Sequence, residues 1–278
     1  MKSVGEILNA SAEFLARKKI DRPKRLAEEL LAHALRIKRI DLYMQFDRPV
    51  EESELAQMRP WIKRISEGEP LEYIIGEVEF FGCRIKVDRR ALIPRPETEI
   101  LVDHIAKRLK ASLSIWDICT GSGCIGIGLK KKFPNLSVSL ADLSRDALAL
   151  ASENAILNEV EVECLLGDLL DPFPGRKTDA VVVNPPYVSV NEYLSLDPSV
   201  KNFEPKMALI GGEKGIEFYE RLEQTLPQFL NPGAQVFLEI GFTQGDAVQK
   251  IFSSSFWTKQ ECLDDWSGKN RFFFLEMQ

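Results

Sequence analysis

The sequence predicts an α/β protein: a mostly parallel, doubly wound sheet with one antiparallel strand, preceded by a small helical bundle and a β-hairpin connector. Three observations carry this reading. From residue 114 onward short apolar runs alternate with helical patterns, and that alternation makes a parallel sheet covered by helices on both faces. Before residue 76 there is no strand alternation and there are few glycines. Between the two, EVEFFGCRIKVD at 77–88 places Val78, Phe80, Ile85 and Val87 in period two about Gly82, the pattern of a hairpin. The expected organisation is a helical domain over 1–75, a connector over 76–93 and the sheet domain over 94–278.

In the helical part, Val4, Ile7, Leu8, Phe14 and Leu15 fall on one helical face. Asp21 is the expected N-cap of a second helix, with Pro23 in its first turn and Leu26, Leu30, Leu31 and Leu35 along its buried side. A third helix holds Leu55, Met58, Trp61, Ile62 and Ile65. After the hairpin, Pro94 and Pro96 stiffen the start of a helix whose first turn carries Glu97, where the helix dipole favours a carboxylate. Strands are then expected at 114–118, 136–142, 160–168, 179–187 (ending in a proline turn) and 234–241, with helices over 124–133, 144–158 and 213–230. FWTKQECL and RFFFLEM read as a closing hairpin that adds the antiparallel strand.

Hydrophobic residues make up 45% and charged residues 28% of the 278, enough for a sizeable core and unlike disordered, collagenous or coiled-coil chains. The net charge of −6 argues against coating nucleic acid by charge alone, because that mode needs a basic face to release counterions. The five cysteines, at 83, 119, 124, 164 and 262, lack paired spacing. They point to reduced thiols and a cytoplasmic setting, with no metal. The first residues lack the apolar stretch of a secretory signal, and no apolar run is long enough to span a membrane. His33, His104, Trp61 and Trp116 read as packing residues. The basic run Arg17, Lys18, Lys19, Arg22, Lys24 and Arg25 reads as a solvated helix junction.

In a sheet of this kind ligands bind beyond the carboxyl ends of the strands. After the first strand comes Asp117 and then Cys119, Thr120, Gly121, Ser122 and Gly123, a loop in which glycine lets the backbone approach a ligand and turn tightly. After the second comes Asp142, placed to accept from both hydroxyls of a ribose. After the third comes Asp168, placed to accept from an adenine amino group. Together they describe a nucleoside-binding crevice. After the fourth comes Asn184-Pro185-Pro186-Tyr187. The two prolines fix the backbone and remove two donors. What remains is the Asn184 oxygen and the Pro185 carbonyl beside an aromatic ring, a site for a planar group bearing NH₂. Prolines on both sides of Arg95 fix its position, so Arg95 and Glu97 are candidates for the same site.

These residues resemble the amino-directed S-adenosylmethionine methyltransferases. EFFG (79–82), LIPRPETE (92–99), DICTGSGCIGIGL (117–129), NPPY (184–187), EPKMALIGGEKGIEFY (204–219) and LEIGFTQ (238–244) follow in the order of the HemK/PrmC family, the peptide chain release factor glutamine methyltransferases. Cys119 stands where that family usually has glycine, and Leu169 where some members have an aromatic residue.

The resemblance implies a Rossmann-like seven-stranded methyltransferase sheet and an N-terminal domain that recognises the substrate. It implies that S-adenosyl-L-methionine is held by Asp117, Cys119, Thr120, Gly121, Ser122, Gly123, Asp142, Leu143, Asp168, Leu169 and Asn184, and is converted to S-adenosyl-L-homocysteine. Asn184, Pro185 and Tyr187 would be catalytic. Pro186, Arg95 and Glu97 would join them in meeting the substrate, the glutamine of the GGQ motif in class I release factors. No metal is implied, and a monomer is expected. The competing reading is a nucleic-acid methyltransferase acting on adenine or guanine amino groups, because NPPY serves any planar NH₂. An NAD-dependent oxidoreductase accounts for the glycine loop but not for NPPY.

Overall fold

A computed structural model describes residues 1–109 and 113–278. The chain divides into two compact units, one formed by Met1–Gly76 with Asp197–Phe203, the other by Glu77–Leu196 with Glu204–Gln278.

The first unit is helical: α1 (Val4–Arg17), α2 (Pro23–Leu35), α3 (Asp41–Met44), α4 (Glu52–Ser66), α5 (Leu71–Ile75) and a short helix at Pro198–Phe203. α1 starts at a reciprocal cap in which the Ser3 hydroxyl accepts from Glu6 N and the Glu6 carboxylate accepts from Ser3 N. Val4, Ile7, Leu8 and Leu15 are buried in its core beside Leu30, Leu31, Leu42, Met58 and Ile65. Phe14 lies off that face and is 37% exposed. α2 corrects one expectation. Arg22, not Asp21, is the N-cap, in a left-handed conformation at φ 47°, and no side chain caps the helix. Pro23 at the first helical position already removes one of the amide donors a cap would satisfy.

The second unit begins with the antiparallel pair β1 (Glu77–Phe80) and β2 (Cys83–Lys86). The side chains of Asn154, on the helix at Arg145–Leu157, and of Asn158 just after it hold this pair, bonding the backbone N–H and carbonyl of Lys86 and of Arg84 respectively. There follow α6 (Pro96–Arg108), β3 (Ser114–Ile118), α7 (Cys124–Lys132), β4 (Ser137–Asp142), α8 (Arg145–Leu157), β5 (Glu163–Leu166), β6 (Thr178–Val183), β7 (Val188–Ser189), β8 (Ile210–Gly212), β9 (Leu230–Glu239), β10 (Trp257–Asp264) and β11 (Asn270–Met277). Three further helices occupy Val190–Leu194, Glu217–Thr225 and Gly245–Ile251.

The main sheet has seven strands in the order β10-β11-β9-β6-β3-β4-β5. β11 inserts between β9 and β10 and runs antiparallel to both, while β3, β4, β5, β6 and β9 are parallel. Chain order reverses between β3 and β6, so the crevice for a ligand opens there. Val181, Val182 and Val183 are wholly buried, as a central parallel strand requires. Trp116 stacks on Phe173 with ring centroids 3.8 Å apart and belongs to the core. Gly126 marks the closest approach of α7 to the sheet. A Cβ there would lie 2.3 Å from Leu140 Cδ2. Gly126, three residues past Gly123, therefore serves helix–sheet packing.

Candidate active site

The strand ends converge on one cavity in the second unit. Cys119, Thr120, Gly121, Ser122, Asp142, Leu143, Asp168, Leu169, Asn184, Pro186 and Arg95 line it, with Thr98, Ile93, Pro205, Met207 and Phe218. Asp117, Gly123, Pro185, Tyr187 and Glu97 are not among the lining residues. Each of the five sits one position away from a residue that is, or behind it.

Asp117 works behind the loop. One carboxylate oxygen accepts from Thr120 Oγ1 at 2.7 Å and from Gly126 N at 2.9 Å, which fixes the turn at both ends. Its other oxygen is buried and has no hydrogen-bond partner among the described residues. Burial raises its pKa to about 7, against the pull of those two donors. Gly121 (φ 55°) and Gly123 (φ 80°) take left-handed conformations open to glycine. Cys119 sits at φ 57° and Leu169 at φ 48°, also left-handed but with side chains. A glycine would take that conformation freely, and the cysteine here carries a strain of about 1–2 kcal/mol.

Asp142 is pinned by two amides, Gly121 N at 2.9 Å and Ser144 N at 2.8 Å, one on each oxygen. Each oxygen keeps a lone pair for a diol. Burial raises its pKa, while the Ser144 and Gly121 amides pull it down. Ser144 caps α8 by accepting from Ala147 N, so the cap does not depend on Asp142. Asp168 pairs with Arg221 at 2.7 Å. Burial pushes the Cys119 thiol well above its ordinary range, and the charges of Asp142, Asp117 and Asp168 add to this.

The NPPY turn is held from behind. A Cβ on Gly211 would meet the Pro186 carbonyl oxygen at 2.2 Å, and one on Gly215 would meet the Tyr187 carbonyl oxygen at 2.3 Å. Both glycines are there because backbone lies against backbone. Gln244 Nε2 donates to Tyr187 O at 2.9 Å and to Gly215 O at 3.1 Å, joining the two segments. Glu204 is 5% exposed; it accepts from Ile93 N at 3.1 Å and pairs with Arg95, setting the opposite wall.

Asn184 Nδ2 donates to Thr98 Oγ1 at 3.4 Å, and Thr98 Oγ1 donates to Glu239 Oε2 at 2.7 Å. Tyr187 is part-buried against the core, with its hydroxyl 3.5 Å from Glu239 Oε1 and 3.5 Å from Arg271 Nη1. Burial raises the Tyr187 pKa, and the Glu239 charge raises it further. Glu239 is itself held up to about 7, first by burial.

Thr98, Glu204, Glu239 and Gln244 are the residues that motif reading missed. All four lie in LIPRPETE, EPKMALIGG or LEIGFTQ. A polar residue at the end of an apolar strand, as Glu239 is, was the available signal.

The two raised carboxyls make stability depend on pH. An unfolded chain returns Asp117 to 3.8 and Glu239 to 4.5. Between these values and about 7 the folded chain keeps protons that the unfolded chain has released. Their contribution to stability is therefore fully present below about pH 4 and is lost as pH rises through about 7. Asp117→Asn has no such proton to lose. Its melting temperature, relative to the parent chain, is expected to rise from about pH 4 to about pH 7 and to level off above that. Thermal melts of both chains with no cofactor added check this, and parallel curves would refute it.

The lining fits S-adenosyl-L-methionine: the Asp142 carboxylate suits a diol, the glycine loop lets the backbone approach, the side chains of Leu143 and Leu169 are apolar, and behind the loop Asp117 keeps a buried oxygen without a partner among the described residues. Among the described residues no cluster of His, Cys, Asp or Glu is arranged to hold a metal. Among the described residues no helix is long and apolar enough to cross a membrane. The sheet order, the antiparallel β11 and the strand-end residues define a class I S-adenosylmethionine-dependent methyltransferase.

Residues 6–76 match the PrmC N-terminal domain, and residues 96–196 match the methyltransferase small domain. The chain is 40% identical over 276 residues to the release factor glutamine methyltransferase of Chlamydia trachomatis serovar L2, covering 98% of this chain and 94% of that one. It is 40% identical to the enzyme of the same name from Thermodesulfovibrio yellowstonii, covering 91% and 92%. A crystal structure of a methyltransferase from Pyrococcus furiosus shares the fold, with a TM-score of 0.54 and 18% identity over 70% of this chain and 89% of that one. This chain belongs to the release factor glutamine methyltransferase family.

Proposed function

We propose that the chain transfers the methyl group of S-adenosyl-L-methionine to the side-chain amide nitrogen of the GGQ glutamine in class I peptide chain release factors, and so modulates translation termination. The setting is the cytoplasm, the second product is S-adenosyl-L-homocysteine, and the enzyme acts as a monomer without a metal. The observation that carries this reading is Asn184 at the cavity, its NH₂ turned to Thr98 and its oxygen left for a substrate N–H.

The cofactor supplies a methyl group on a sulfonium, already activated for transfer. The chain's residues handle the acceptor, a poor nucleophile whose lone pair is delocalised into its carbonyl. Asn184 Oδ1 and the Pro185 carbonyl accept its two N–H bonds. They draw electron density onto nitrogen and hold it in line with the methyl. The nitrogen would gain the methyl group that the cofactor supplies and lose one proton to solvent, leaving the neutral thioether S-adenosyl-L-homocysteine. Pro186 and Arg95 wall the same space. Residues 1–75 recognise the protein substrate, which accords with the absence of chemistry-bearing motifs there.

The test is methyl transfer from labelled cofactor to purified release factor, DNA and RNA in parallel, with the full chain and with residues 77–278. The expected result is label on the release factor glutamine only. The shortened chain should lose at least about tenfold in kcat/KM while cofactor affinity persists, since recognition of a remote surface contributes to transition-state binding. Label on nucleic acid would overturn the substrate, and equal efficiencies would overturn the role of the N-terminal helices.

A further inference from the structure

We propose that Glu239 and Thr98 form a directional relay that sets which end of the Asn184 amide faces the substrate. An amide side chain presents an acceptor at one end and donors at the other, with nearly the same shape. Something must choose between them, because an Asn184 turned the wrong way would meet the substrate NH₂ donor to donor.

The choice follows from proton counting. Thr98 Oγ1 carries one proton and stands between two neighbours, Glu239 Oε2 at 2.7 Å and Asn184 Nδ2 at 3.4 Å. A carboxylate only accepts, so it takes the Thr98 proton. Thr98 then offers Asn184 a lone pair and nothing else, and only the NH₂ end can answer it. Oδ1 is left toward the cavity. The two supporting side chains are buried. Thr98 is 2% exposed on the first turn of α6, and Glu239 is 2% exposed at the end of β9. The Glu239 backbone is held by the Tyr219 hydroxyl, which donates to its carbonyl at 2.9 Å.

The relay is reversible in principle. A Glu239 that carries a proton, or a glutamine in its place, can donate to Thr98. The Thr98 proton is then free to turn to Asn184 and bind Oδ1, with the amide flipped. The groups facing Glu239 set the balance: Thr98 and Glu97 from α6, Tyr187 from the NPPY turn, Arg271 from β11 and Tyr219 from the Glu217–Thr225 helix. Burial, with Glu97 adding to it, holds Glu239 near pH 7, while Thr98, Arg271 and Tyr187 pull it down. Thr98 and Glu239 act here as positioning residues, and the inference rests on the reading that Asn184 Oδ1 receives the substrate N–H.

Two measurements test it. The first does not depend on activity. In ¹⁵N-labelled protein the Asn184 side-chain NH₂, assigned by its loss in Asn184→Ala, should show a through-space contact to the Thr98 methyl group at about pH 8.5, where the carboxylate is ionised. That contact should weaken below about pH 6 and in Glu239→Gln at any pH. An unchanged contact in Glu239→Gln overturns the relay, whatever the substrate proves to be. The second is single-turnover methyl transfer to release factor. Thr98→Val should lose about 10- to 100-fold in rate with cofactor affinity unchanged, and Thr98→Ser should restore it to within about threefold. The parent rate should fall on the acid side of about pH 7, and Glu239→Gln should be slower and lack that limb. Equal rates in Thr98→Val and Thr98→Ser, or the same limb in Glu239→Gln, overturn the relay. Failure of the parent chain to methylate release factor would instead overturn the functional reading and leave the resonance measurement to decide the relay.

Discussion

Asn184→Ala is expected to bind S-adenosyl-L-methionine within about threefold of the parent chain and to lose about 10²–10³-fold in kcat, roughly 3–4 kcal/mol of transition-state stabilisation. The turn should survive because it is held by other groups. Gly211 and Gly215 lie against its carbonyls, and Gln244 donates to Tyr187 O. What is lost is an acceptor that strengthens its hold on the substrate N–H as the nitrogen rehybridises. A contact of that type lowers kcat more than it raises KM. Asn184→Asp should also be impaired, for a reason visible in the geometry. The new carboxylate would compete with Glu239 for the single Thr98 proton, two anions facing one donor in a buried site. Single-turnover transfer and calorimetry on the same samples check both variants. Parent-level turnover in Asn184→Ala would reduce the NPPY turn to a structural role.

Asp142→Ala is expected to weaken cofactor binding by about 2–4 kcal/mol, roughly 30- to 900-fold. The loss of the diol acceptor accounts for part of this. The remainder comes from the loop itself, because the same carboxylate receives Gly121 N and Ser144 N. Without it two amides at the cavity lose their partner and the glycine turn loosens. α8 should persist, since Ser144 still caps it through Ala147 N. Calorimetric titration with S-adenosyl-L-methionine, beside a circular dichroism melt, separates the two effects. Unchanged affinity would remove Asp142 from the cofactor site.

The sheet was legible because each strand is a short apolar run closed by a glycine, acidic or proline signal, and burial on both faces leaves little freedom in such a run. β11 was legible for the same reason, as Phe272, Phe273, Phe274 and Leu275 are all buried. Caps were less so. Asp21 has the chemistry of a cap, but Pro23 shifts the helix start and leaves Asp21 beside Arg22 in the solvent. In the site, the cavity-lining polar residues that follow the strands could be read in order. Tyr187 read as a face for the substrate because an aromatic follows the prolines. Its hydroxyl is engaged with Glu239 and Arg271, and its ring is not among those lining the cavity. Supports such as Glu204 and Gln244 were hidden because their partners are far along the chain, and only the fold brings a carboxylate at 204 to an amide at 93.

The place of β11 bears on how the molecule is completed during synthesis. Chains grow from the N-terminus, and the cofactor side of the sheet, β3, β4 and β5, is finished by Leu166. Asn184 follows soon after. Thr98 is already made by then, but the proposed relay is completed later: by Glu239 at the end of β9, and by Arg271, whose charge faces Glu239, on a strand that must thread between β9 and β10. A nascent chain therefore holds the cofactor loop and the NPPY tetrapeptide long before the far side of the sheet can tell Asn184 which way to turn. Loss of β11 alone would leave β9 and β10 without the neighbour they share.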